Sequence, residues 1–226
     1  MPLLVKICGL STPAALDTAL DAGADMVGFV FFPPSPRNIG LEQARTLEQR
    51  VQGRAKKVAL TVDATDEQLA LIVEALRPDV LQLHGKETPE RVAVVRSRFG
   101  LPVMKALPIE KRHDLGPIHL YDKVADRLLF DARAPRKATR PGGLGKPFDW
   151  RLLQNLDRSL TFMLSGGLDA ANVAEALSVT RAPAVDVSSG VERAPGEKDL
   201  DKIRAFIHAA RAAAARLGKP KVASRA

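Results

Sequence analysis

The sequence predicts a single closed (β/α)8 barrel. Short β-type runs alternate with helical patterns eight times along the 226 residues, no composition break divides them, and the strand runs are mostly apolar. Alternation implies parallel pairing, because a parallel connection needs a crossover, and eight successive units fit closure better than an open doubly wound sheet. Apolar strands suit burial on both faces. The first strand is not followed by the GxGxxG fingerprint, which weighs against a dinucleotide fold.

The run LLVKI (3–7) precedes a helix beginning near Thr12-Pro13, with Thr as N-cap and Pro at the first helical position. DMVGFVF (25–31) leads through a Pro-rich loop to a helix from Leu41 to about Val51. KKVALTV (56–62) precedes a helix whose Leu69, Ile72, Val73 and Leu76 repeat at i, i+3, i+4, i+7. DVLQLH (79–84) precedes a second Thr-Pro start at Thr88-Pro89, with Val92, Val95 and Phe99 on one face. PVMKAL (102–107) is followed by a weaker helical stretch around 111–124, interrupted by Gly116-Pro117. RLLFDA (127–132) leads to a long loop and a short helix near 149–155. LTFML (160–164) precedes a helix near 170–179, and APAVDVS (182–188) precedes a last helix carrying Leu200, Ile203, Phe206 and Ile207. The barrel is expected over residues 1–216, with a basic, disordered tail over 217–226.

Composition excludes several classes. Hydrophobic residues make up 46% of the chain, enough for a sizeable core. A single cysteine, Cys8, rules out an internal disulfide and fits a reducing compartment, so a cytoplasmic location is expected. The N-terminus does not read as a signal peptide, and no apolar run approaches the ~18 residues of a membrane span. The net charge is +8, but the excess is spread along the chain, and one Trp and one Tyr supply little for base stacking. A small-molecule partner is therefore expected, with neither nucleic acid nor membrane.

In such a barrel, chemistry collects at the C-terminal strand ends. Cys8 ends the first strand and reads either as a small buried hydrophobe or as a reactive group. Asp131 ends the sixth and reads either as a turn-capping loop residue or as a general acid or base. Facing each other across the mouth, the two would form a thiol–carboxyl pair. Glycine-rich loops follow three consecutive strands: Gly142, Gly143 and Gly145; then Gly166 and Gly167; then Asp186, Ser188, Ser189 and Gly190. One such loop is usually only a turn, but three in succession point to a phosphate site built from backbone N–H groups.

Arg37 reads as a solvated loop residue or a partner for a carboxylate, and His84 as a hydrogen-bonded core residue or a functional one. Lys105 fits a Schiff-base role or, more commonly, an ion pair. Lys6 shares a strand face with Cys8, as alternation requires. It is expected to favour the thiolate; the other reading pairs it with a carboxylate lower in the barrel. No HExxH or Cys/His cluster suggests a metal, and His113, His119 and His208 suggest nothing.

The segments VKICGL, GFVFFPPSPR, LQLHG, LLFDA, GGLGKPFDW, SGGLDAANV and DVSSGVE, in order from about residue 4 to 207, resemble the phosphoribosylanthranilate isomerase family of tryptophan biosynthesis. The resemblance implies an Amadori rearrangement of N-(5-phosphoribosyl)anthranilate to 1-(2-carboxyphenylamino)-1-deoxyribulose 5-phosphate. It places the general base on Cys8, the general acid on Asp131, the contact to the anthranilate end on Arg37 and the phosphate on the glycine loops. It implies no cofactor and no metal, and is compatible with a monomer or a homodimer. Leu144 stands where the family often has Thr, Ser165 where it often has Ala, and TVDAT ends the third strand in place of a more apolar run. Two rivals are a ring-closing indole-glycerol phosphate synthase, which would need a Lys–Glu set, and a non-catalytic barrel binding a phosphorylated metabolite or RNA.

Overall fold

Eight parallel strands close on themselves in chain order, and closure is made by β1 (Leu4–Cys8) pairing with β8 (Ala184–Val187) through Leu4–Ala184 and Lys6–Asp186. The computed structural model describes residues 2–135, 138, 141–142, 147–157 and 159–217. Gly143, Leu144, Gly145 and residues 218–226 lie outside the described residues. Between β1 and β8 run β2 (Met26–Phe31), β3 (Lys56–Thr61), β4 (Val80–Leu83), β5 (Val103–Ile109), β6 (Arg127–Ala132) and β7 (Phe162–Leu164). No helix among the described residues is long and apolar enough to cross a membrane.

Local signals account for the crossover helices. In α1 (Pro13–Asp21) the Thr12 hydroxyl accepts from the Ala15 N–H, and in α4 (Pro89–Phe99) Thr88 does the same for Arg91. Helix α2 spans Leu41–Val51, and α3 (Asp66–Leu76) opens with a Thr65–Gln68 capping box. The fifth crossover is reduced to a 3-10 turn, Arg112–Leu115, and a single helical turn, α5 (Ile118–Tyr121). Gly116-Pro117 separates them, where proline supplies no N–H to continue the ladder. The sixth holds a 3-10 turn, Trp150–Leu153, rather than an α-helix. Helix α6 (Val173–Thr180) starts later than its pattern suggests, because the Asp169 carboxylate accepts from the N–H groups of Ala171 and Asn172 and holds that segment in a turn. After β8 the chain makes a small antiparallel ribbon, β9 (Glu192–Ala194) and β10 (Glu197–Lys198), absent from the sequence expectation. Helix α7 (Leu200–Leu217) then runs one residue past the expected domain boundary.

Strand alternation sorts the side chains into two layers. Outward-facing Val5, Ile7, Val27, Phe29 and Val185 join Leu16, Leu47 and Phe206 of the helices in the main core. Inward-facing Met26, Val58, Val80, Met104, Leu129, Met163 and Ala184 form a separate apolar floor, with Leu4 packed on it. Burying each of the larger of these side chains, Val, Leu or Met, contributes about 1.5–3 kcal/mol. On β1 the inward series runs Leu4, Lys6, Cys8: apolar floor, charge, then thiol at the mouth.

Candidate active site

Above the floor, the C-terminal strand ends enclose a cavity of about 490 Å³ lined by Cys8, Arg37, His84, Asp131, Gly142, Gly166, Gly167, Asp186, Ser188 and Ser189, among others. Lys6 and Lys105 apart, the sequence candidates thus converge, with three exceptions. Gly143 and Gly145 lie outside the described residues. Gly190 does not line the cavity; a Cβ there would stand 1.9 Å from the Leu168 carbonyl oxygen, so its glycine lets two loops touch.

Cys8 is only 3% exposed. Burial pushes its thiol pKa up; Lys6 and Lys198 pull it down, Asp186 pushes it up, and the net shift is upward. The sequence expectation of a lowered thiol is therefore corrected: Lys6 acts in the expected direction but burial outweighs it. Gly28 on β2 makes the arrangement possible, since a Cβ there would be 2.9 Å from Cys8 Sγ and 3.1 Å from Lys6 Cε.

Lys6 is completely buried and donates to Gln82 Oε1 at 2.8 Å and Asp186 Oδ1 at 2.9 Å. Burial alone would depress its ammonium, but Asp186 and Cys8 raise it above the usual lysine value. The carboxylate reading of Lys6 is thus the geometry found, with the partner beside it on β8 rather than lower in the barrel. The second Asp186 oxygen accepts from the Ser165 hydroxyl at 3.0 Å. Serine in place of alanine therefore adds a donor that helps hold this carboxylate.

Asp131 is 5% exposed at the end of β6. Its Oδ1 accepts from the Ala132 N–H at 2.8 Å, and its Oδ2 lies 3.2 Å from His84 Nε2. Two glycines give it room. A Cβ on Gly142 would come within 2.3 Å of Oδ2, and one on Gly166 within 2.4 Å of the Ala132 nitrogen. Gly166 and Gly167 have φ of +86° and +68°, a region other residues enter at a cost. The other face of His84 meets Gln82, with Gln82 Nε2 3.0 Å from Nδ1.

Arg37 is buried and forks onto Glu192, Nε to Oε1 and Nη2 to Oε2, both at 2.7 Å. Glu192 also accepts from Lys198 at 2.8 Å, and Lys198 donates to the Ser188 carbonyl oxygen at 2.8 Å. Burial works against the Glu192 charge, but Arg37 and Lys198 prevail and hold its pKa below the usual value. Burial lowers Lys198. The planar fork matches the carboxylate geometry expected of Arg37, yet that carboxylate belongs to the protein. Gly9, at φ +75°, admits the Arg37 stem: a Cβ there would lie 2.5 Å from Arg37 Cδ.

Lys105 pairs with Glu87 at 2.7 Å and donates to the Gly85 carbonyl oxygen at 2.7 Å. It sits on the outer strand face between the inward Met104 and Ala106, so the ion-pair reading holds and a Schiff-base role does not. Sequence reasoning missed Gln82, Glu192 and Lys198. Gln82 was accessible from alternation, being two residues before His84, and Glu192 ends the segment DVSSGVE.

The family model described as N-(5'phosphoribosyl)anthranilate (PRA) isomerase matches residues 5–209. A protein of Nitrobacter winogradskyi described as N-(5'-phosphoribosyl)anthranilate isomerase is 66% identical over 213 residues, covering 94% of this chain and 95% of that one. A Bradyrhizobium diazoefficiens protein of the same description is 66% identical over 212 residues, with 94% and 95% coverage. Among solved structures, phosphoribosyl anthranilate isomerase from Thermotoga maritima superposes with a TM-score of 0.84 at 35% identity, covering 93% of this chain and 99% of that one. A phosphoribosyl anthranilate isomerase in complex with reduced 1-(o-carboxyphenylamino)-1-deoxyribulose 5-phosphate superposes at 0.81 with 33% identity and the same coverage.

Proposed function

The chain belongs to the N-(5'-phosphoribosyl)anthranilate isomerase family, and we propose that its Cys8 and Asp131 carry the proton transfers of that aldose–ketose isomerisation in tryptophan biosynthesis. The observation that supports these roles is the convergence of both side chains, from opposite parts of the chain, on one cavity beside the glycine loops. Asp131, protonated, donates to the ribose ring oxygen; the C1′–O bond breaks and the nitrogen lone pair forms the Schiff base. The positive nitrogen acidifies the C2′ hydrogen, and Cys8 as thiolate removes it, leaving an enolamine that tautomerises to the ketone. One turnover takes a proton from Asp131 and leaves one on Cys8, and its return through water resets the pair.

Two features serve this distribution. Lys6 and Lys198 offset part of the burial cost of the thiolate, and the charge on the Schiff base adds to them. The carboxyl must hold its proton before ring opening. Gly142, Gly166, Gly167, Ser188 and Ser189 receive the phosphate in this reading. Arg37 meets the anthranilate end while Glu192 holds it, and Asp186 orders the floor of the site through Lys6. The enzyme is read as cytoplasmic, a monomer or homodimer.

The test is turnover of the fluorescent anthranilate substrate, followed by loss of its fluorescence. A folded protein that binds phosphate but leaves the fluorescence constant would favour a non-catalytic barrel. The ring-closing rival has little support, since Lys105 and Glu87 pair on the outer strand face and neither lines the cavity.

A further inference from the structure

We propose that Gln82 is a positioning residue that holds His84 as the tautomer protonated on Nε2, so that among the described residues the acid proton of Asp131 has no hydrogen-bond acceptor flanking it and points to the ligand. This rests on the general-acid role of Asp131 given above. The argument begins at Lys6, whose ammonium can only donate. It lies 2.8 Å from one terminal atom of the Gln82 amide, so that atom is the oxygen. The NH₂ end of Gln82 then faces His84 Nδ1 at 3.0 Å, and Nδ1 must accept. A neutral imidazole that accepts at Nδ1 carries its proton on Nε2. That nitrogen stands 3.2 Å from Asp131 Oδ2.

Gln82 is fully buried, so no water competes for either end of its amide. The reverse order would set the Gln82 NH₂ against the ammonium, two donors facing each other in a buried site. The consequence falls on Asp131. Its two flanking groups, the Ala132 N–H and the His84 Nε2–H, are both donors. Neither can accept the carboxyl proton. With the other tautomer, the bare Nε2 would accept it, and a general acid would spend its proton on a neighbour rather than on the ring oxygen. A charged lysine more than seventy residues away in sequence thereby sets which nitrogen of His84 is protonated.

The tautomer is read directly from ring 15N shifts and two-bond proton couplings in protein labelled at its four histidines, with His84→Gln assigning the signals. At a pH where the imidazole is neutral, wild type is expected to show a protonated Nε2 and a bare Nδ1; the opposite pattern overturns the proposal. Gln82→Leu should mix the tautomers and lower kcat ~10-fold or more with little change in KM, a share of the ~10²–10⁴ that a placed acid supplies. Gln82→Glu, nearly the same size, accepts at both ends and should move the neutral-ring proton to Nδ1. A folded Gln82→Leu enzyme with undiminished kcat, or a Gln82→Glu ring still protonated on Nε2, also overturns it. The wild-type spectrum needs no variant at position 82 to fold. Failure of the acid assignment has a different signature, undiminished turnover in Asp131→Asn.

Discussion

Arg37 and Glu192 form a two-point ion pair inside the protein, each of its contacts 2.7 Å long, with Lys198 bound to the same carboxylate. An arginine at a ligand cavity is thus held in one direction before any ligand arrives, which limits the side-chain ordering cost of binding. Glu192→Ala should leave two cations facing each other around an empty space. Breaking a buried pair from one side costs ~3–5 kcal/mol, so a marked fall in Tm is expected by calorimetry. A Tm within a degree or two of wild type would show that the pair contributes little.

Arg37→Ala should weaken productive binding of the anthranilate substrate by ~1.5–3 kcal/mol, the worth of a hydrogen bond to a charged group. Inhibition by inorganic phosphate should be nearly unchanged when measured below the variant's Tm. Equal losses for both ligands would place Arg37 at the phosphate instead.

Cys8→Ser and Asp131→Asn should each lower kcat by at least ~10², the range of general acid–base groups, with a much smaller change in KM. Steady-state fluorescence assays decide this, and wild-type turnover in both variants would refute the pairing.

Alkylation of Cys8, the only thiol, reports its ionisation. Because burial raises its pKa, the rate should keep climbing above the range of an ordinary thiol, and Lys6→Met should move the midpoint higher still. The alkaline limiting rate should be retained. An unmoved midpoint in a folded variant would leave Lys6 as a partner of Asp186 and Gln82 alone.

Glu192 also predicts an acid limb of stability. Its folded pKa lies below its unfolded one, so its contribution is fully present above the unfolded value, ~4.3, and is lost as pH falls through the folded value. In Tm-against-pH curves, Glu192→Gln should be less stable near neutrality yet flatter in acid. Parallel curves would assign the acid limb to other carboxylates, such as Asp126, which Arg96 holds low.

The strands were legible because each is an apolar run bounded by breakers, and the Thr-Pro starts of α1 and α4 were legible because a cap and a fixed φ leave a local signature. The fifth and sixth crossovers were less so: their segments are too short for a helical period, and what reads as helix folds as 3-10 turns and the single helical turn α5. Cys8, Asp131, Gly142, Gly166 and Gly167 could be placed at the barrel mouth because strand ends locate themselves. Lys6, Gln82 and Asp186 could not be joined in that way. They come from three different strands, and only the closed sheet, with β1 beside β8 and β4 across the interior, brings them to one level. The Arg37–Glu192 pair was hidden for the same reason, since the two ends lie 155 residues apart.

The methionine-rich floor has a kinetic consequence. Met26, Met104 and Met163, with their apolar neighbours, fill the barrel below the charged layer, so among the described residues the chamber's doorway lies at the C-terminal strand ends. Arriving and departing molecules share it. Product must vacate before the next substrate is admitted, and product that accumulates outside competes for the same entrance. Release through that doorway is thus a step that each turnover has to include.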